Sequence, residues 1–135
     1  MICLSVKSIL HTLNKVAYEA GLRKGRENER KVIEAFETAR VQTPRWFRGI
    51  DWAPQELDGD GVDFIVASDI GQLYLQIKSS DALADRFRTR QARRRYNRYI
   101  AVVSTQGCAT PEDICHKVIN AVGKKRAQLI SERAR

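Results

Sequence analysis

Two runs rich in β-branched and aromatic residues, VDFIVAS (62–68) and QLYLQIKS (72–79), stand only a few residues apart in this chain. So short a break reads as a tight hairpin over Ser68-Asp69-Ile70-Gly71. With a two-residue loop, Ser68 faces Gly71. Counting back along both strands then sets Asp63 across from Gln76 on one face. A glycine bulge at Gly71 would slip that register by one. Gln76 and Lys78 share a face by the two-residue strand period, while Leu75 and Ile77 point the other way, into a core.

The remaining elements arrange themselves around this hairpin. Ile9, Leu10, Leu13, Val16, Ala17 and Ala20 recur at helical spacing and predict a helix over 4–20, closed by Gly21. A second helix is expected over 25–40, with Val32, Ile33, Phe36 and Ala39 as its apolar stripe, before Thr43-Pro44 breaks it. One short strand is expected within 44–61, followed by the polar, turn-rich ELDGDG. The continuous apolar run YIAVVST (99–105) reads as a central strand. A last helix starts at Thr110 as N-cap, with Pro111 in the first turn and Glu112 and Asp113 at the positive end of the dipole. Ile114, Val118, Ile119 and Val122 form its buried stripe, Gly123 marks a bend or a stop, and 123–135 is a basic tail or helix. No internal repeat is evident. The expected fold is a single α/β (α+β) domain over 1–135, with a central mixed four-stranded sheet, flanking helices and a core over 24–122.

Composition narrows the class. At 135 residues and 15.4 kDa the chain suits one domain with a real core. Lys and Arg number 24 against 16 Asp and Glu, a surplus of +8 that points to a polyanionic partner or a solubilising surface. Cys3, Cys108 and Cys115 are odd in number and irregular in spacing. They read as idle thiols in a reducing compartment rather than a disulfide framework or a zinc site. No apolar run is long enough to span a bilayer, and no cleavage site follows a clean apolar core, so a cytoplasmic location without membrane association is expected.

Three fragments carry candidate chemistry: GRENERKVIEAF, GVDFIV and LYLQIKSS. At about 100° per residue, Val32, Ile33 and Phe36 all fall close around Glu29, placing it mid-stripe on the second helix, while Glu27 and Glu34 take the opposite face. Burying that carboxylate costs several kcal/mol unless a cation compensates it. It could instead cap a solvent-accessible first turn. Asp63 and Lys78 are charged residues within apolar strands, which suits either the wet side of an antiparallel sheet or a site. Together, Glu29, Asp63, Gln76 and a main-chain carbonyl at Ile77 offer the oxygen ligands that Mg²⁺ prefers. Such an ion polarises a phosphate and helps generate a hydroxide, and Lys78 could orient that water or neutralise charge on the phosphate.

This order of residues resembles the PD-(D/E)XK nucleases, a restriction-endonuclease-like family whose signature is a helical Glu, a strand Asp and then (D/E/Q)-x-K. KGRENERKVIEAF is also similar to the opening helix of archaeal-type Holliday junction resolvases. The resemblance covers about 24–105. It implies that Glu29, Asp63 and Gln76 are metal ligands with the Ile77 carbonyl, that Lys78 is the catalytic lysine, and that the cofactor is Mg²⁺, with Mn²⁺ as substitute. Gln76 departs from the usual acid, which removes a negative charge and leaves room for an inactive, binding-only descendant.

Between Lys78 and the next strand runs DRFRTRQARRRYNR. Arg86, Arg88, Arg90, Arg93, Arg94, Arg95 and Arg98 are followed by no acid within the segment after Asp85, and Phe87 and Tyr96 interleave. Arginine forks bind phosphate and aromatics stack on bases, so this segment is the expected DNA-binding surface, lying close to the metal. A solvated helix face or mobile loop is the plainer alternative. The expectation is a DNA-cleaving enzyme that reads DNA shape and acts as a homodimer, through Trp46, Phe47 and Trp52 or the N-terminal helix, unless those aromatics are core. The competing readings are a noncatalytic nucleic-acid-binding module and an accessory protein docking on an acidic partner.

Overall fold

The protein is described from a computed structural model that covers residues 26–134. The helix expected over 4–20, its Gly21 cap, Cys3 and the N-terminal interface lie outside the described residues. Within them the chain forms α1 (26–38), β1 (Phe47–Trp52), α2 (Gln55–Asp58), β2 (Phe64–Ser68), β3 (Gly71–Lys78), α3 (Asp81–Ala92), β4 (Ala101–Ser104) and α4 (Pro111–Arg133). The four strands lie in sequence order in one sheet. β1, β2 and β3 pair antiparallel and β4 joins β3 in parallel, giving the mixed sheet expected.

The hairpin has the two-residue loop, with no slip at its glycine. Ser68 pairs with Gly71 and the register runs unbroken to Phe64 opposite Leu75. Gly71 takes φ +112°, a conformation that a side chain would resist. Ser68 Oγ donates to the Gly71 carbonyl at 2.6 Å and accepts from the Ile70 amide at 3.2 Å, closing the turn. The parallel β3–β4 connection needs a long crossover, and α3 supplies it.

Helices cover both faces. Val32 and Ala35 of α1, with Ile114, Cys115, Val118 and Val122 of α4, bury Phe64, Val66, Leu75, Ile77 and Val103. On the other face, Ala84 and Phe87 of α3 pack with Val62, Ile100 and Val102. The result is three layers around one sheet. Trp46 and Phe47 belong to the first core, whereas Trp52 is 42% exposed with its ring 4.9 Å from that of Phe64. Cys115 is buried and Cys108 partly so, both free, and burial pushes the Cys115 thiol up, as befits an idle core group.

Several boundaries differ from expectation. α1 ends at residue 38 rather than 40, and the polar loop contains the single turn of α2. Ile119 is only half-buried; Cys115 takes its place in the stripe. α4 does not stop at Gly123 but continues to Arg133. The glycine is there for contact: a Cβ at 123 would sit 3.2 Å from Trp46 Cζ2. The start of α4 is as expected. Thr110 accepts from the Asp113 amide at 3.2 Å while Asp113 accepts from the Thr110 amide at 3.1 Å, a reciprocal capping box. No helix among the described residues is long and apolar enough to cross a membrane.

The end of α3 carries an anomaly. The Arg95 amide reaches the Arg90 carbonyl at 3.0 Å and the Arg94 amide reaches that of Gln91 at 2.9 Å, which is a Schellman closure. Its left-handed position, φ 60°, is filled by Arg94 where glycine is usual. The Cβ there costs about 1 kcal/mol. Arg94→Gly should therefore leave stability unchanged or raise it by up to about 1 kcal/mol, read as the urea midpoint at constant slope; a clear loss would contradict this account of the turn.

Candidate active site

The site begins where β2 leaves its ladder. The register predicts Asp63 opposite Gln76, but at Asp63 the backbone departs from it. The Asp63 amide donates to the Leu75 carbonyl at 2.9 Å, and its own carbonyl turns toward β1 to accept from Ala53 at 2.9 Å. The Ile77 amide would otherwise lack a main-chain partner. Asp63 Oδ2 accepts from it at 2.8 Å, a side chain standing in for a rung of the sheet. This bond pins the carboxyl group at the end of the strands in a residue only 8% exposed.

Glu29 comes to the same place from another layer. It lies near the start of α1, half-buried, and its carboxyl group is within hydrogen-bonding reach of that of Asp63. Two carboxyl groups can share a hydrogen bond only if one keeps a proton. Burial pushes Asp63 up to about 8, the Ile77 amide works against that rise, and the charge of Glu29 adds to it. Glu29 is likewise raised, first by burial and then by the charge of Asp58. Its hydrogen bond to Asp63 and the charges of Arg26 and Lys78 oppose the rise. A pair that retains a proton near neutrality is a pair short of positive charge.

Gln76 and Lys78 complete the group. Gln76 is 7% exposed, and its Oε1 is fully buried without a hydrogen-bond partner among the described residues. An orphaned acceptor of this kind costs about 1–3 kcal/mol. It sits one residue along β3 from the amide that holds Asp63. The Ile77 carbonyl leaves the strand on the same side as that amide, toward Asp63. Lys78 acts electrostatically on both carboxyl groups, and its Nζ lies 5.4 Å from the centre of the Phe87 ring. Phe87 stacks on Tyr96 with ring centres 4.5 Å apart, and Gly61 closes the stack from behind. A Cβ at Gly61 would meet Phe87 Cζ at 2.9 Å.

Among the described residues no three His, Cys, Asp or Glu side chains cluster as metal ligands. The residues that could hold a cation there are Glu29 and Asp63, with Gln76 Oε1 and the Ile77 carbonyl as the nearest further oxygen donors in sequence. These are all hard oxygen donors that fit Mg²⁺ better than a soft ion.

The seven arginines are not one surface. All are exposed. Arg86, Arg90 and Arg93 follow one another at turn spacing on the outer side of α3, away from the sheet. Arg88 points instead along the sheet edge, binding Asp85 at 3.0 Å and the Val102 carbonyl at 3.1 Å. Arg98 is held by Glu132 of α4 at 3.2 Å, an acid the linear segment does not contain. Arg94 and Arg95 belong to the turn that follows α3. Sequence reasoning passed over Asp58, the positioning contact of Phe87 on Lys78, and three lysines of α4 described below. The helical spacing of Lys117, Asn120, Lys124 and Gln128 was the available signal for two of those lysines, Lys117 and Lys124.

The chain matches no protein-family model, no curated protein and no solved structure, so this geometry carries the functional argument alone.

Folded Asp63 holds its proton more tightly than the unfolded chain does. Between about pH 4 and 8 the folded state therefore binds more protons, and stability falls as pH rises through that window. Asp63→Asn keeps an acceptor for Ile77 and gives Glu29 a permanent donor. Its urea stability in EDTA should be flatter across the window and exceed wild type near about pH 9, whereas parallel profiles would contradict the shared proton.

Proposed function

We propose that this protein is a Mg²⁺-dependent endonuclease that hydrolyses DNA phosphodiester bonds, with a restriction-endonuclease-like fold as the PD-(D/E)XK resemblance implies. One observation above all supports the reading. Two facing carboxyl groups, nearly buried Asp63 and half-buried Glu29, are both held above their ordinary range within the field of Lys78, and one residue from the amide that anchors Asp63 stands a buried oxygen, Gln76 Oε1, without a hydrogen-bond partner among the described residues. Such a group is expensive to maintain unless a cation satisfies it.

Glu29, Asp63, Gln76 Oε1 and the Ile77 carbonyl would hold the ion. When bound, Mg²⁺ or Mn²⁺ polarises a phosphate oxygen and makes a water acidic enough to attack. The protein's own contribution begins with Glu29 and Asp63 releasing their shared proton. The Ile77 amide keeps Asp63 aimed during that change. The Lys78 ammonium hydrogen-bonds a non-bridging phosphate oxygen and offsets the charge that accumulates on it. Phe87, against Gly61 and Tyr96, keeps Lys78 from swinging away. The arginines of α3 and the turn after it bind the DNA backbone, so affinity falls with salt.

Contacts to phosphate carry little sequence information, which favours recognition of DNA shape: a junction, a repair intermediate or a minimal restriction-type site. Cutting both strands calls for a homodimer, and cytoplasmic action on DNA fits the reading. A noncatalytic nucleic-acid-binding module is the second reading, favoured by Gln76 in place of an acid.

The protein should cut supercoiled or branched DNA with Mg²⁺ or Mn²⁺ and not in EDTA. Lys78→Ala should slow cleavage by roughly 10²–10³, and Asp63→Ala by at least as much. Gln76→Glu adds a ligand charge and should lower the Mg²⁺ concentration needed for half-maximal rate. Cutting that survives EDTA or both alanine variants sinks the proposal; salt-sensitive binding with no cutting under either metal leaves the noncatalytic module.

A further inference from the structure

Among the described residues β4 is the last strand of the sheet, and no strand pairs with its outer edge. α3 and α4 stand on the two faces and leave a groove of about 700 Å³ floored by β4. An open edge normally invites strand addition, which requires free main-chain acceptors. Here the outward carbonyls are engaged. Gln91 Nε2 donates to Ile100 at 3.0 Å, Arg88 Nη2 to Val102 at 3.1 Å and Lys117 Nζ to Ser104 at 2.9 Å. A peptide strand would have to displace all three.

Two of those three donors are cations, and Lys124 and Lys125 of α4 add two more. A second hollow of about 670 Å³ adjoins, sharing Gln91 and Lys125 and lined by Arg94, Arg98 and Tyr96. The two hollows present six cations against the carboxylates of Asp81 and Asp85, and Asp85 is already bound to Arg88. Arg98 has Glu132 as its partner. Cations still outnumber acids there, and burial, then the charges of Arg88 and Arg98 against that of Glu132, holds the Lys125 amine below its ordinary range. A second copy of this chain would bring like charges together, so it is a poor occupant.

We propose that this track holds a single strand of nucleic acid, so that the substrate of the nuclease reading, on which this last step rests, is a DNA with an unpaired arm. The charge calls for a polyanion. The recessed floor between two helices suits one sugar-phosphate strand rather than a duplex. Four residues of β4 span about 13 Å, the length of about four phosphates spaced as in one stacked strand. Tyr96 at the far end offers a ring for a base.

The test is fluorescence anisotropy of the full chain with a labelled single-stranded oligo(dT) of about 12 nucleotides in EDTA, across salt concentrations. Lys124→Glu, and separately Asn120→Glu on the same exposed stripe, should weaken binding about tenfold, and Lys124→Glu should reduce the salt slope by about 0.7. Lys124→Arg should bind as wild type does. Wild-type affinity and slope in both glutamate variants would overturn the proposal. So would a blunt duplex that competes as well as the single strand, or a polyglutamate peptide that binds as tightly. No cleavage is read, so binding here by a protein that cuts nothing would refute hydrolysis and leave the groove standing. Cutting by a protein indifferent to both glutamate changes would do the reverse.

Discussion

The hydrogen bond from the Ile77 amide to the Asp63 carboxylate ties the sheet to the candidate chemistry. It completes β3 where β2 has turned away, so the fold needs it. It also fixes a nearly buried carboxyl group at the strand ends, so the candidate site needs it. Remove the carboxylate and a buried amide loses its partner; remove the departure at Asp63 and the side chain falls back into the ladder. The positions of Gln76 and Lys78 follow from the same strand, one residue either side of that amide. Glu29 then answers to Asp63 rather than to the helix that carries it.

Charge is separated across the molecule. The surplus of +8 is not spread evenly. The strand ends around Asp63 gather Glu29 and Asp58, an acidic corner opposed among the described residues by Lys78 and Arg26. The edge of β4, by contrast, gathers lysines and arginines from two helices. The two regions adjoin, because the C-terminal end of β4 pairs with Lys78.

What could be read in advance was local. The hairpin register depends on a turn four residues long, the start of α4 on a Thr, a Pro and an Asp, and the facing of Glu29 on helical rotation; each is contained in a few consecutive residues. What could not be read depends on partners distant in sequence. Asp63 leaves its register where its amide turns to the Leu75 carbonyl while its own carbonyl stays with Ala53 on the β1 side. Gly123 looked like a stop because its reason, the Trp46 ring, lies elsewhere in the chain. Arg98 looked unpaired because Glu132 arrives only when α4 folds back along it. The orphaned oxygen of Gln76 has no sequence signature at all, since it is defined by what fails to approach it.

The mixed pairing of the sheet also dictates an order of assembly. β1, β2 and β3 are successive neighbours, β2 and β3 joined by a tight turn and β1 and β2 by the connection through α2, so they can zip together from contiguous chain with less loop-closure entropy to overcome than β4. β4 can dock only after the whole excursion through α3 has been laid down, since parallel pairing tolerates no shortcut. Asp63 and Ile77 thus meet early, on the fast-forming meander. The cation-lined edge matures late, on the slow, long-range contact, so the bond between Asp63 and Ile77 precedes the gathering of cations along β4.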